Sequence, residues 1–245
     1  MNSISLICVY NNQKQMEEMV ESTKNQDMAI EYIMIDNTKK AFPSAAQAIT
    51  YGVQKAKNNV VVFLHQDIEF LSENVLNDIF TYLTQNPNSL VGAAGVKKNF
   101  GILNQKKVYS NIFHEASKER VTSTPLLQEP MAVFTLDECL IATTKEALQK
   151  ISFDTKVCDG WHLYGADLCM QAQLKSMAVM VLPMSLWHKS AGKIDSSYFD
   201  CMKILSKKYE KNFKVINTCC TAYPTHNGVH KLLVNTSNKL IKKLH

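Results

Sequence analysis

Two side chains able to hold a metal ion stand two residues apart where an apolar run stops. Val60-Val61-Val62-Phe63-Leu64 is followed at once by His65-Gln66-Asp67. A short Val-rich run reads as a strand buried on both faces, so its carboxyl end carries His65 and Asp67 to the edge of a sheet. Such edges are where open α/β sheets bind ligands. The carboxylate of Asp67 is a hard oxygen ligand. Adding the imidazole of His65 gives a mixed site that accepts Mn²⁺ more readily than an all-oxygen site selective for Mg²⁺. His188, in a loop after a later strand, is positioned to complete the set. The chemistry of such a site is charge stabilisation: a divalent cation there neutralises a departing diphosphate. The plainer reading is a strand-end Asp that caps a turn beside a hydrogen-bonded His.

The elements that must deliver these residues are legible from periodicity. Ile4 to Tyr10 reads as a first strand ending in Asn11-Asn12. Met16, Met19, Val20 and Thr23 follow at helical spacing. Tyr32 to Ile35 is a second strand, ending in Asp36-Asn37. Ser44-x-x-Gln47 is a capping box that opens a helix through Ala48, Ile49, Val53 and Ala56. After the third strand, Ser72 is expected to cap a helix with Val75, Leu76, Ile79, Phe80 and Leu83 inward and Pro87 past its end. Leu90 to Val96 reads as a fourth strand. This alternation predicts a mostly parallel sheet with helices on both faces. Right-handed crossovers then bring Asn11, Asp36 and His65-Gln66-Asp67 to one side.

Residues 97–131 break the rhythm and read as a long loop or hairpin excursion. Ala132 to Leu136 is expected to be a strand ending in Asp137-Glu138, followed by a helix around Thr144 to Lys150. Asp159 to Asp167 leads into a helix expected from Leu168 to Lys175, then a strand from Ala178 to Leu182. The segment from Ser196 reads as helical and polar. Its end, His230 to His245, sets Leu232, Leu233, Leu240, Ile241 and Leu244 against basic residues, a pattern suited to an anionic membrane surface or to packing on the domain. The expected division is a domain over 1–195, with a nucleotide-binding half at 1–96 and an acceptor half at 97–195, and a helical tail at 196–245.

Bulk properties narrow the field. The 245 residues are 46% hydrophobic and 20% charged, which is globular composition with room for a sizeable core. The net charge of +5 suits anionic ligands, but no basic stripe interleaved with aromatics argues for nucleic acid. Seven cysteines without a Cys-x-x-Cys pair read as reduced thiols of a cytoplasmic protein. The adjacent Cys219-Cys220 has no evident reason. No apolar run approaches the roughly 18 residues of a spanning helix, and no signal peptide is apparent.

Several motifs in order resemble the family 2 glycosyltransferases of GT-A fold, over roughly residues 3–195. They are Val9-Tyr10-Asn11-Asn12, Ile35-Asp36-Asn37, Phe63-Leu64-His65-Gln66-Asp67, Val91-Gly92-Ala93-Ala94-Gly95-Val96, Leu136-Asp137-Glu138, Gly160-Trp161-His162-x-Tyr164-x-x-Asp167-Leu168-Cys169, and His188 with Ser190. The chain looks closest to a bacterial subgroup with His-Gln-Asp in place of Asp-x-Asp. The resemblance implies inverting transfer of a sugar from a nucleotide donor, a UDP-sugar by preference, to a hydroxyl of a bacterial surface glycan, glycolipid or glycoprotein. It implies a nucleotide pocket formed by Val9, Tyr10, Asn11, Asp36, His65 and Gln66. A divalent cation, Mn²⁺ or Mg²⁺, would be held by Asp67 with His65 and His188. The general base would be Asp167, Asp137 or Glu138. Trp161, His162 and Tyr164 would face the acceptor or the sugar, where an aromatic ring meets apolar C–H surface. One departure stands out: relatives place an acidic pair before the helix near Leu168, where this chain has Tyr164-Gly165-Ala166. A nucleotidyltransferase would also put a strand-end Asp on a metal, but it should have a Gly-rich basic loop after the first strand, and Val9 to Gln15 has none. A non-catalytic nucleotide-sugar-binding module is the alternative that the missing acidic pair favours.

Overall fold

The computed structural model describes residues 2–98, 107–114, 116–117, 119–120, 124–190 and 194–226. The first half alternates as its periodicity requires: β1 (Ser3–Tyr10), α1 (Gln13–Ser22), β2 (Ala29–Asp36), α2 (Ala45–Lys55), β3 (Val60–Leu64), β4 (Ile68–Phe70), α3 (Val75–Gln85), β5 (Ser89–Gly92) and β6 (Ala94–Val96). Then come short strands β7 (Val108–Ser110), β8 (Phe113–His114), β9 (Glu119–Arg120), β10 (Met131–Ala132) and β11 (Thr135–Leu136). The second half continues with β12 (Leu140–Thr144), α4 (Lys145–Leu148), α5 (Tyr164–Leu174), β13 (Ala178–Val181), β14 (Leu186–His188) and α6 (Ser196–Lys208). A hairpin of β15 (Val215–Asn217) and β16 (Ala222–Pro224) closes the described chain.

Seven strands form the central sheet in the order β10-β13-β5-β12-β3-β1-β2. β1, β2, β3, β5 and β13 run one way; β12 and β10 run against them. The expected mostly parallel α/β sheet is therefore present. Alternate residues of β3 serve opposite faces, as a strand's two-residue period demands. Val61 and Phe63 join a core with α2, α5 and α6, whereas Val60, Val62 and Leu64 join one with α1 and α3. Burying each of these side chains contributes roughly 1.5–3 kcal/mol, so the two-sided run anchors the sheet's centre.

Some expectations are corrected. Leu90 to Val96 is two strands, not one: β5 stays in the central sheet while β6 pairs with β7 and β11 in a second sheet. Ala132 to Leu136 likewise splits, with β10 on β13 and β11 on β6. Between them the backbone hydrogen-bonds both sheets, Val133 N to Val179 O and Phe134 N to Val96 O. β12 is an addition to the expected elements: three apolar residues and two threonines without Gly or Pro punctuation, fully buried between β3 and β5. The expected helix at 144–150 shrinks to α4. α5 begins at Tyr164, not Leu168. α3 begins at Val75 without a side-chain cap of its own. Instead Gln26 Oε1, from the turn before β2, accepts the Leu76 N–H at 3.1 Å. Ser44 does cap α2, accepting from Gln47 N at 3.3 Å. α6 is helical as expected, and the hairpin after it was not foreseen. The stretch 227–245 lies outside the described residues.

A four-stranded sheet, β4-β14-β8-β9, sits where β3 ends. Because β12 runs antiparallel to β3, it enters at the rim where β3 leaves, with His65 N bonded to Cys139 O at 3.0 Å. This one reversal puts Asp137-Glu138 beside His65-Gln66-Asp67.

Candidate active site

His65, Asp67 and His188 converge as their residue types suggested. One ligand atom from each lies within 4.8 Å of the other two. His65 extends β3, Asp67 precedes β4, and His188 on β14 pairs in register with Ile68. His188 Nε2 is 3.4 Å from Asp67 Oδ1, and both residues are buried. Burial would raise the Asp67 carboxyl, but the His188 contact and charge outweigh it and hold the group well below its usual range. Burial would depress His188; contact with Asp67 outweighs it and raises its pKa. His65 is lowered, by burial first and by the His188 charge second. Two imidazoles and an ionised carboxylate make a mixed nitrogen and oxygen donor set that fits a divalent transition-metal ion such as Mn²⁺ better than Mg²⁺.

His65 and His188, but not Asp67, line a cleft of about 520 Å³. Its lining includes His65, His188, Asp137, Glu138, Trp161 and His162. A smaller cavity shares His65 and Trp161 and adds Val9, Phe63 and Tyr164 over the sheet edge.

Of the three candidate bases, Asp137 and Glu138 line the cleft. Asp167 is fully buried in α5 and is not among the lining residues. Its carboxylate takes bonds from Lys208 Nζ at 2.6 Å, Tyr209 OH at 2.8 Å and Gln171 Nε2 at 2.8 Å. It joins α5 to α6. Asp137 Oδ1 accepts from Cys139 N at 3.0 Å, a local turn bond. Glu138 reaches the first turn of α5, where Oε1 accepts the Gly165 N–H at 2.8 Å. Burial pushes its carboxyl up to about 8, the Asp137 charge adds to this, and the Gly165 bond opposes it. A Cβ on Gly165 would lie 2.8 Å from Glu138 Cγ, so Glu138 fills the space that a side chain at 165 would need. Leu163, just before α5, has φ of 66°, a left-handed conformation that is uncommon without glycine. Backbone strain of this kind collects at functional sites.

The other expected residues divide. Gln66 is turned toward the β1–α1 loop: Oε1 accepts from Asn11 N and Asn12 N, both at 2.9 Å, and Nε2 donates to Asn11 Oδ1 at 2.8 Å. Asp36 is exposed at the end of β2, beside Tyr10 in register, and accepts from Thr38 N at 2.8 Å. Both stand on the shared strand-end rim but outside the main cleft lining. The Tyr164 hydroxyl is 3.4 Å from His65 Nε2 and so touches the His65/Asp67/His188 cluster. Trp161 is 43% exposed, enough to offer a ring face to a ligand. His162 packs edge-on to Tyr198 and lies 3.6 Å from Asp195 Oδ1.

Sequence reasoning passed over His114, whose Nε2 lies 3.3 Å from His188 Nδ1. A lone His in an irregular excursion gives no signal. Cys219 and Cys220 also line the cleft, in the turn of the last hairpin. No disulfide is present among the described residues.

A sequence model of the "Glycosyltransferase like family" matches residues 5–215. The "ATP synthase subunits region ORF 6" protein of Fuscovulum blasticum is 25% identical over 166 residues, 65% of this chain and 63% of that one. Among solved structures, GalNAc-T7 with UDP, GalNAc and Mn²⁺ superposes with a TM-score of 0.60 and 13% identity, over 85% of this chain and 48% of that one. Staphylococcus aureus TarS 1-349 in complex with UDP-GlcNAc gives 0.53 and 14%, over 84% and 66%. The chain thus spans about half to two thirds of the proteins it matches.

Proposed function

The chain belongs to the glycosyltransferase-like family, and from that premise we propose that it moves a sugar from a nucleotide donor, by preference a UDP-sugar, to an acceptor hydroxyl with inversion. The observation that supports this most is a shared opening: the His65/His188 side of the cluster and Glu138 line one cleft. A leaving diphosphate needs the first, and an attacking hydroxyl needs the second. The donor nucleotide lies along the rim from Asp36 and Tyr10 through Val9 to His65, with Asn11 held in place by Gln66. His65, Asp67 and His188 hold a divalent cation, Mn²⁺ in preference to Mg²⁺. When bound, the cation stabilises negative charge on the diphosphate.

Glu138 is the base. It takes the acceptor O–H proton as the oxygen attacks the anomeric carbon, and the diphosphate leaves from the opposite face. A group whose pKa lies close to working pH is efficient in this role. Asp137, next to it, orients the reacting hydroxyls. Asp167 anchors α6 and takes no proton. Trp161 and His162 form the acceptor side. The acceptor is a bacterial surface glycan, glycolipid or glycoprotein. No helix among the described residues is long and apolar enough to cross a membrane. We assign peripheral contact with the cytoplasmic membrane face to the basic stretch 230–245, within a tail over 196–245 that follows a domain over 1–195.

The test is nucleotide release from UDP-, GDP- and dTDP-sugars, with and without Mn²⁺, in the presence of candidate acceptors. Release stimulated by one donor supports transfer. Nucleotide binding without release from any donor favours a binding module and rejects the enzyme reading.

A further inference from the structure

We propose that His114 is a positioning residue for His188, setting which ring nitrogen of His188 faces the cation. The small sheet brings them together. β8 and β14 run parallel with His114 opposite His188, so both side chains leave the same face. Their ring centroids are 5.0 Å apart and their planes cross at 74°. His114 Nε2 lies 3.3 Å from His188 Nδ1, while His188 Nε2 is 3.4 Å from both Asp67 Oδ1 and Ser190 Oγ.

A neutral imidazole has one N–H and one lone pair. For Nε2 of His188 to direct its lone pair between Asp67 and His65, Nδ1 must carry the proton, and that proton needs an acceptor. His114 Nε2 supplies it. Ligating histidines usually donate their second N–H to a carboxylate or carbonyl, which fixes tautomer and ring orientation. Here a second imidazole does so, 74 residues earlier in the chain. The inference rests on the reading of His65, Asp67 and His188 as a cation site.

The experiment titrates Mn²⁺ into the purified protein and follows the free ion by electron paramagnetic resonance, so no turnover is needed. His114→Phe should weaken Mn²⁺ binding by roughly 10–100-fold. His114→Gln, which keeps an acceptor, should retain most of the affinity. His188→Ala should lose at least as much as His114→Phe, and the double variant no more than His188→Ala alone, because the two act through one contact. Wild-type affinity in His114→Phe, or losses that multiply in the double variant, would overturn the proposal. Should His114→Phe fail to fold, His114→Ala with added imidazole decides: rescue of Mn²⁺ affinity supports it and no rescue overturns it. If the wild-type protein itself binds no Mn²⁺, the cation reading falls and takes this inference with it.

Discussion

Gly165→Ala isolates the contact between Glu138 and the start of α5. An added Cβ would lie 2.6 Å from Ile141 Cδ1 and 2.8 Å from Glu138 Cγ. The Ile141 methyl is a chain end and can swing aside. Glu138 Cγ is mid-chain, and carbon contacts relax only near 3.5–4.0 Å, so it must retreat by roughly 0.7 Å or more. That movement strains the 2.8 Å bond from Gly165 N and shifts the carboxylate in the cleft. A misplacement approaching 1 Å costs on the order of 10²-fold in rate, about 2.7 kcal/mol in the barrier. Stability should fall by no more than about 2 kcal/mol. Alanine contributes up to about 1 kcal/mol in helix propensity, against roughly 1–3 kcal/mol for overpacking. Steady-state nucleotide release gives kcat/KM, and urea unfolding verifies the fold. Glu138→Gln should cost about 10²–10⁴-fold by itself. Adding Gly165→Ala to it should cost little more, since both remove one function. A folded Gly165→Ala protein with wild-type turnover would refute the assignment, as would losses that multiply.

Asp67→Ala removes the cluster's carboxylate and should abolish donor-dependent turnover and Mn²⁺ retention with the circular dichroism unchanged; surviving turnover contradicts the role. With Glu138 held near 8, kcat/KM should climb with pH and level off above about 8, and Glu138→Gln should erase that limb. The same group binds a proton in the folded state that the unfolded chain has already released above about 4.5, so urea stability should fall as pH rises from about 4.5 to about 8. A wild-type slope no steeper than that of Glu138→Gln would exclude the shift. Lys208→Met strands the fully buried Asp167 charge and should destabilise by about 3 kcal/mol in urea, with turnover per folded molecule retained. A tenfold loss of turnover in the folded fraction would return Asp167 to the catalytic set.

Much of the scaffold was readable because local pattern and tertiary role agree. Val60 to Leu64 is apolar at every position since both faces of β3 are covered, and its termination at His65 locates two of the three residues of the His65/Asp67/His188 cluster. β12, a short mixed run of Leu, Ile, Ala and two Thr without flanking Gly or Pro, gives little strand signal, and only pairing reveals that it runs against β3. Leu90 to Val96 and Ala132 to Leu136 were read as single strands because a switch between sheets leaves no compositional trace. Asp167 is a candidate base by the resemblance alone; its partners in the fold, Lys208 and Tyr209, come from the end of α6 some forty residues on, which no local pattern announces. His114 acquires meaning only through the register of β8 on β14. Glu138 was one of three candidates, and the empty space over Gly165 gives it its position.

The Gln66 carboxamide has a consequence for how a donor is received. It rivets the loop that opens α1 to the strand end whose two neighbouring residues supply the cluster. The loop and the strand end are thereby tied together within the fold itself by three hydrogen bonds. On the proposed function, a donor bound along this rim meets groups already held to one another, so less of the ordering cost falls on binding.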